Sequence, residues 1–255
     1  MLKVVAETPV QQEQAETIAT ALYTTVIPVE NVAEETAQVL VWVSDQGVGL
    51  RLPGRTLNKP VYVDFLSGVM TYRQRYMAVK NELIAKAIGL KANQLPTVID
   101  ATAGFGRDAF VLAALGCQVT MLEQHPVVAL MLKSGLDRAR KNPSITSIIA
   151  RMNLFETDAV TYLLLLNAQQ RPDVIYLDPM FPVRQKSAKV KKDMQALHLL
   201  LKHDASGDLL LMPALDRARK RVVVKRPRNA PNLANIAPQL SFNGKSSRFD
   251  VYLTA

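Results

Sequence analysis

Five short apolar runs set the constraint on this chain: TVIDA at 97–101, QVTMLE at 118–123, MNLFET at 152–157, DVIYLD at 173–178 and RVVVKR at 221–226. Each is too short for a buried helix and rich in β-branched residues, so each predicts a strand. The segments between them carry helical periodicity over 107–115, 126–141, 159–169 and 188–202. Strands alternating with helices predict an α/β fold with a mostly parallel sheet and crossover helices. RFDVYLT at 248–254 predicts a last strand at the sheet edge.

Residues 1–75 read differently and predict a small N-terminal α+β lobe beside a main domain over 76–255. QQEQAETIATALY places Ala15, Ile18, Ala19 and Leu22 on one helical face, and AQVLVWVSDQGVGLRL alternates as two strands around Asp45, Gln46 and Gly47. Trp42, in the first of these strands, is expected in the core of the lobe.

With 49% hydrophobic and 21% charged residues among 255, the chain has ample material for a core. Its net charge of +9 favours polyanionic partners, because cations near phosphates gain from counterion release. A single cysteine, Cys117, excludes an intrachain disulfide, and its apolar setting predicts a buried small residue rather than a nucleophile. The start of the chain lacks the pattern of a signal peptide, and no apolar run reaches the roughly 18 residues of a membrane helix. A cytoplasmic protein without membrane contact is expected. His198 and His203 are poorly spaced for helical zinc ligands and His125 lies on another element, so no metal site is expected.

VIDATAGFGRDAF sets Gly104 and Gly106 after the first main-domain strand and before a helix. Glycines allow a sharp turn and close approach of a ligand, and the helix N-terminus offers amides to electron-rich groups. Glu123 ends the next strand, placed to accept hydrogen bonds from ribose hydroxyls. Gly104, Gly106 and Ala109 also satisfy G-x-G-x-x-G/A, which leaves a nicotinamide-dependent oxidoreductase open. Asp100 and Asp108, on either side of Arg107, count against a pyrophosphate, because acidic groups around the turn repel it. They suit a ligand with an amino group and a sulfonium, as in S-adenosylmethionine (SAM).

DVIYLDPMFP places Asp178 at the carboxyl end of a strand, near the expected reversal of sheet order where ligands bind. An exocyclic base amine is a weak nucleophile, and acceptors for its protons help it toward a tetrahedral geometry. Asp178 supplies one acceptor, the carbonyl of Pro179 a second, and Phe181 a ring on which the base stacks. RQKSAKVKKD follows at once, setting Arg184, Lys186, Lys189, Lys191 and Lys192 beside the site as phosphate contacts. KRVVVKRP adds Lys225 and Arg226 on the same sheet edge. A non-catalytic RNA-binding protein with the same fold also stays open at this point.

VIDATAGFGRDAFVLAALGCQVTMLEQHPVV, VIYLDPMFPVRQKSAKVKKDM and KRVVVKRP together resemble the bacterial RsmJ family of 16S rRNA guanine-N2 methyltransferases, from about Val61 to the end of the chain. The resemblance implies a Rossmann-like class I methyltransferase fold: a mostly parallel seven-stranded sheet with helices on both faces. It implies SAM as cofactor, S-adenosylhomocysteine as product, and 16S rRNA or the 30S subunit as partner. It further implies that SAM is held by Arg107, Asp108, Glu123, Gln124, Asp158, Ala159 and Asp178, to which the reading of the glycine turn adds Asp100 and Gly104. In that scheme Glu123 takes the ribose, Asp158 the adenine amine, and Asp108 the methionine end, while Asp178, Pro179 and Phe181 activate the base. The choice of guanine comes from the resemblance alone, since the motif serves adenine or cytosine equally. YRQRYMAVKNELIAKA keeps Glu82 but departs from the family's glycine-rich stretch there, and Arg73, Arg75 and Lys80 are candidates to face RNA.

Overall fold

The computed structural model describes residues 2–52, 59–66, 83–91, 94–179, 200 and 207–254. Two sheets share one hydrophobic core. The larger has seven strands: β6 (Thr97–Asp100), β7 (Gln118–Glu123), β8 (Met152–Glu156), β9 (Val174–Leu177), β10 (Arg221–Pro227), β11 (Leu240–Asn243) and β12 (Ser247–Leu253). Their order is β11-β12-β10-β9-β6-β7-β8. All pairings from β8 to β10 are parallel, whereas β12 runs antiparallel to β10 and β11.

This order decides where a ligand can sit. From β6 the chain moves outward through β7 and β8, then returns to the other side of β6 as β9. Loops leaving β6 and β9 therefore diverge, opening a crevice at their carboxyl ends. Asp100 ends one strand and Asp178 follows the other directly.

Strand periodicity assigns the two faces. Val98, Val119, Met121, Tyr176 and Val223 face one core with Ala109, Leu112, Val128 and Met131, from the helices Arg107–Ala114 and Pro126–Arg140. Ile99, Ile175, Leu177, Val222 and Val224 face a second core with Leu163 and Leu211, from Ala159–Leu165 and Gly207–Arg217.

The smaller sheet comprises β1 (Leu2–Ala6), β2 (Val26–Ile27), β3 (Val39–Ser44), β4 (Gly47–Arg51) and β5 (Val61–Tyr62), in the order β2-β1-β3-β4-β5. The helix Gln12–Ala21 buries Ala15, Ile18 and Ala19 on it. Trp42 is buried with Val5, Val32 and Leu40 on the other side, its indole N–H donating to Glu7 at 3.1 Å and the Arg51 guanidinium over its ring. Val4, Val41 and Val48 belong to the same buried cluster as Val98 and Tyr176. The helix Pro126–Arg140 joins the two sheets: Ser134 Oγ accepts the amide of Val48 at 3.0 Å, and Arg138 donates to the carbonyls of Gln46 and Val63. At Gly135 an added Cβ would stand 2.7 Å from the Val63 carbonyl, so this crossing admits only glycine at that position.

Three differences from the sequence reading have local causes. The helix expected over 159–169 ends at Leu165, because Asn167 caps a separate turn, accepting the amides of Gln169 and Gln170 at 3.0 and 3.1 Å. The closing strand is not at the edge: β11 pairs outside it, a strand whose alternation of Leu240 and Phe242 with Ser241 and Asn243 is too brief to announce it. The helix Gly207–Arg217 had no expected counterpart, since Pro213 interrupts its pattern. The helix expected over 188–202 lies outside the described residues apart from Leu200.

Candidate active site

The turn after β6 creates the site. Gly104 and Gly106 have φ of +53° and +69°, in the left-handed region that side chains avoid. A Cβ on Gly104 would meet nothing nearer than the Thr102 carbonyl at 4.0 Å, so its demand is conformational. A Cβ on Gly106 would stand 2.8 Å from Leu132 and 3.2 Å from Phe65. Gly106→Ala is expected to cost about 2 to 4 kcal/mol, from the left-handed backbone plus overpacking, measurable by denaturant unfolding. An unchanged midpoint would contradict that account.

Behind this turn lies a cavity of about 300 Å³. Its wall includes Asp100, Gly104, Arg107, Asp108, Glu123, Gln124, Asp158, Ala159, Asp178 and Pro179, so every residue named from the sequence for the cofactor lines one space. Glu123 is 8% exposed, with Oε2 accepting the Gly104 amide at 2.9 Å and Oε1 the His125 amide at 2.8 Å. Its carboxylate is thus fixed in the cavity wall between the glycine turn and the helix Pro126–Arg140. Asp158 is the N-cap of Ala159–Leu165, accepting the Thr161 amide at 2.7 Å.

Acidity concentrates where β6, β9 and β10 meet. Asp100 is 2% exposed, and Oδ1 accepts the Thr102 amide at 3.1 Å. Burial, reinforced by the charge of Asp108, pushes its carboxyl up to about 8. Asp108 Oδ2 accepts the Tyr176 hydroxyl at 2.6 Å and the Lys225 ammonium at 2.7 Å. Asp178 receives the same ammonium on Oδ2 at 2.9 Å, while its amide donates to Thr102 Oγ1 at 2.6 Å. Burial raises the Asp178 carboxyl, with Lys225 opposing that rise. Lys225 itself loses by desolvation, but Asp178 and Asp108 outweigh this and raise it.

Asp100 carries a pH prediction. A carboxyl raised in the folded state binds more protons there than in the unfolded chain, between its ordinary 3.8 and about 8. Its contribution to stability is therefore complete below about 4 and is lost as pH rises through about 8. Asp100→Asn, which stays neutral, is expected to gain on wild type in melting temperature between pH 6 and pH 9, measured without cofactor. A gap that does not change with pH would refute an elevated Asp100.

The two basic residues of β10 part company. Lys225 turns into the cavity wall, whereas Arg226 is 3% exposed and donates through Nε and Nη2 to the Pro231 carbonyl at 3.1 and 2.7 Å. Neither stands out toward solvent as a phosphate contact was expected to. The sequence reading also passed over Tyr176 and Thr102. Tyr176 lies two residues before Asp178 and so shares its strand face, a signal present in the quoted DVIYLD. Phe181, Arg184, Lys186, Lys189, Lys191 and Lys192 lie outside the described residues, as do Arg73, Arg75, Lys80 and Glu82. Cys117 is buried, and burial pushes its thiol up to about 11, far from a nucleophile's range. Among the described residues no group of three or more histidine, cysteine, aspartate or glutamate side chains is arranged to hold a metal ion. None of their helices is long and apolar enough to cross a membrane.

Comparison with known proteins fits this geometry. A family model for SAM-dependent methyltransferases matches residues 26–254. The ribosomal RNA small subunit methyltransferase J of Nitrosococcus oceani is 52% identical over 80% of this chain and 81% of its own length. The protein of the same name from Tolumonas auensis is 47% identical over 99% and 98%. The crystal structure of a SAM-dependent methyltransferase from Neisseria gonorrhoeae superposes with a TM-score of 0.69 at 37% identity, covering 98% of this chain and 96% of that one. The glycine turn's open choice of cofactor is thereby resolved in favour of SAM over a nicotinamide. The buried acidic cluster suits its cationic end, and the pinned Glu123 suits its ribose. The chain belongs to the ribosomal RNA small subunit methyltransferase J family of SAM-dependent methyltransferases.

Proposed function

We propose that this protein transfers a methyl group from SAM to the exocyclic N2 amine of a guanine in 16S rRNA, in the cytoplasm. The observation that carries the reading is Asp178: a carboxylate at the switch point of the sheet, in the wall of the cofactor cavity and followed by Pro179. The names of the relatives support ribosomal RNA of the small subunit as the substrate class.

Bound SAM supplies a methyl group on a sulfonium, whose carbon–sulfur bond breaks toward sulfur as the new nitrogen–carbon bond forms. Asp178 and the Pro179 carbonyl accept hydrogen bonds from the amine, localising its lone pair and aiming it at the methyl carbon. Orientation of this kind replaces an encounter in solution with an aligned pair, an advantage that reaches about 10⁵ M or more in effective molarity. The amine proton leaves to water after transfer, so no strong base is required. Phe181 stacks on the base, and Arg184, Lys186, Lys189, Lys191 and Lys192 hold the flanking phosphates. Residues 76–255 form the catalytic domain and 1–75 a small lobe beside it.

The test is transfer of labelled methyl groups from SAM to naked 16S rRNA and to 30S subunits, both from cells lacking this gene, followed by nucleoside mass analysis. Label in N2-methylguanosine is expected, and the better substrate identifies the stage of subunit assembly at which the enzyme acts. Label on another nucleoside would replace the assigned base, and no transfer to either substrate would overturn the proposal.

A further inference from the structure

Lys225 holds a position that a lysine rarely occupies without a purpose. It follows Val224, which pairs in parallel register with Leu177, so it stands level with Asp178 on the neighbouring strand. Its ammonium lies 2.7 Å from Asp108 and 2.9 Å from Asp178. The side chain is only 29% exposed, although a four-carbon stem at a sheet edge could carry the charge into water. One cation thereby ties together the helix after the glycine turn, the strand bearing the base-activating motif, and β10. Tyr176 donates to the same Asp108 oxygen that Lys225 uses, fixing that carboxylate from a second direction.

We propose that Lys225 is a positioning residue of the methyl-transfer site: its ammonium holds the Asp178 carboxylate by Oδ2 and leaves Oδ1 to accept the hydrogen bond of the substrate amine. The inference rests on the methyltransferase reading above.

Four groups face Asp178: Asp100 from β6, Asp108 from the helix Arg107–Ala114, Tyr176 from β9 and Lys225 from β10. Asp108 is the charged acid among them, and its charge together with burial raises the Asp178 carboxyl, so without Lys225 a half-buried Asp178 would keep its proton to higher pH. It would then present a donor where the amine also presents donors. Lys225 prevents this, and by occupying one oxygen it also weakens Asp178 as a base, which matches a role in orientation rather than proton removal. Charge gives a second consequence. With Asp100 neutral, Asp108, Asp178 and Lys225 sum to a single negative charge, balanced by the one net positive charge of SAM. Loss of the ammonium makes the site more negative, so SAM is not held less tightly.

The experiment compares Lys225→Met and Lys225→Arg with wild type in the rRNA methylation assay. For Lys225→Met the expected results are a fall in kcat of about 10²-fold, an acid limb of the kcat/KM profile displaced upward by about one pH unit or more, and undiminished SAM affinity by calorimetry. Lys225→Arg is expected to restore the acid limb, since it restores the cation. If Lys225→Met does not fold, Lys225→Gln carries the same test. An acid limb that does not move in a folded variant overturns the inference. So does a variant with normal kcat at saturating RNA but weaker RNA binding and a smaller salt dependence, the signature of a phosphate contact. A wild-type protein that transfers no methyl group overturns the methyltransferase reading together with this one. Wild-type transfer with an unaltered Lys225→Met profile overturns this one alone.

Discussion

Asp178→Ala is expected to lower kcat for rRNA methylation by about 10³-fold or more while the protein still folds and binds SAM. The expectation follows from where the carboxylate stands. It lies beyond the end of β9, so its side chain supports no core packing, and the hydrogen bond that its backbone N–H donates to Thr102 Oγ1 survives the change. The substitution removes the acceptor that orients the amine, an interaction realised in the transition state, so the loss belongs in kcat rather than in KM. The Lys225 ammonium keeps its second partner, Asp108, which limits the structural damage. Single-turnover rates with excess enzyme, alongside calorimetric titration with SAM, make the measurement. A folded Asp178→Ala protein with full activity would remove the amine-activating role altogether.

The largest effect on stability is expected at Asp250, far along the chain but near the same edge of the sheet. Asp250 is 1% exposed, and both of its oxygens receive Arg248 Nε, at 2.9 and 3.0 Å. Arg248 then spends its remaining donors on the loop after β10: the carbonyls of Arg228 and Ala230 at 2.8 Å each, and Asn232 Oδ1 at 3.1 Å. Removing one partner of a buried ion pair leaves the other charge uncompensated, at a cost of about 3 to 5 kcal/mol. For a chain of this size Asp250→Ala should lower the melting temperature by roughly 6 to 20 °C. Asp250→Ala combined with Arg248→Met should be milder than the single change, because no orphan charge remains. Equal loss in the single and double variants would show that packing, not charge, sets the effect.

The centre of the larger sheet was legible because β6, β9 and β10 are buried on both faces and so read as apolar runs; β7 matches its expected bounds of 118–123 residue for residue. Strands with one wet face were harder, and β11, mostly exposed, alternates over only the four residues LSFN. The residues lining the cavity were recoverable because they sit at strand ends, in the glycine turn or in the first turns of the helices that follow, positions that topology alone brings to one edge. Lys225 and Arg226 were read as phosphate contacts on one sheet edge, whereas Arg226 is turned to the Pro231 carbonyl and Lys225 to Asp108 and Asp178. Adjacent strand residues point to opposite faces, so the two could never have faced one partner together. Asp158 was assigned to a ligand, whereas an Asp directly before the apolar run Ala159–Leu165 also announced the helix cap that it forms.

The helix Pro126–Arg140 has a consequence for how this protein is made. It packs against β4 and receives the amide of Val48, yet it is synthesised roughly ninety residues after that strand. At translation speeds of 5 to 20 residues per second, the N-terminal sheet leaves the ribosome and waits roughly 5 to 20 s before its covering helix exists. During that interval Val41, Val43, Val48 and Leu50 have no partner from the larger sheet. An apolar face of the N-terminal sheet is therefore without its covering helix throughout that interval, the stage of synthesis at which exposed apolar surface favours non-native association.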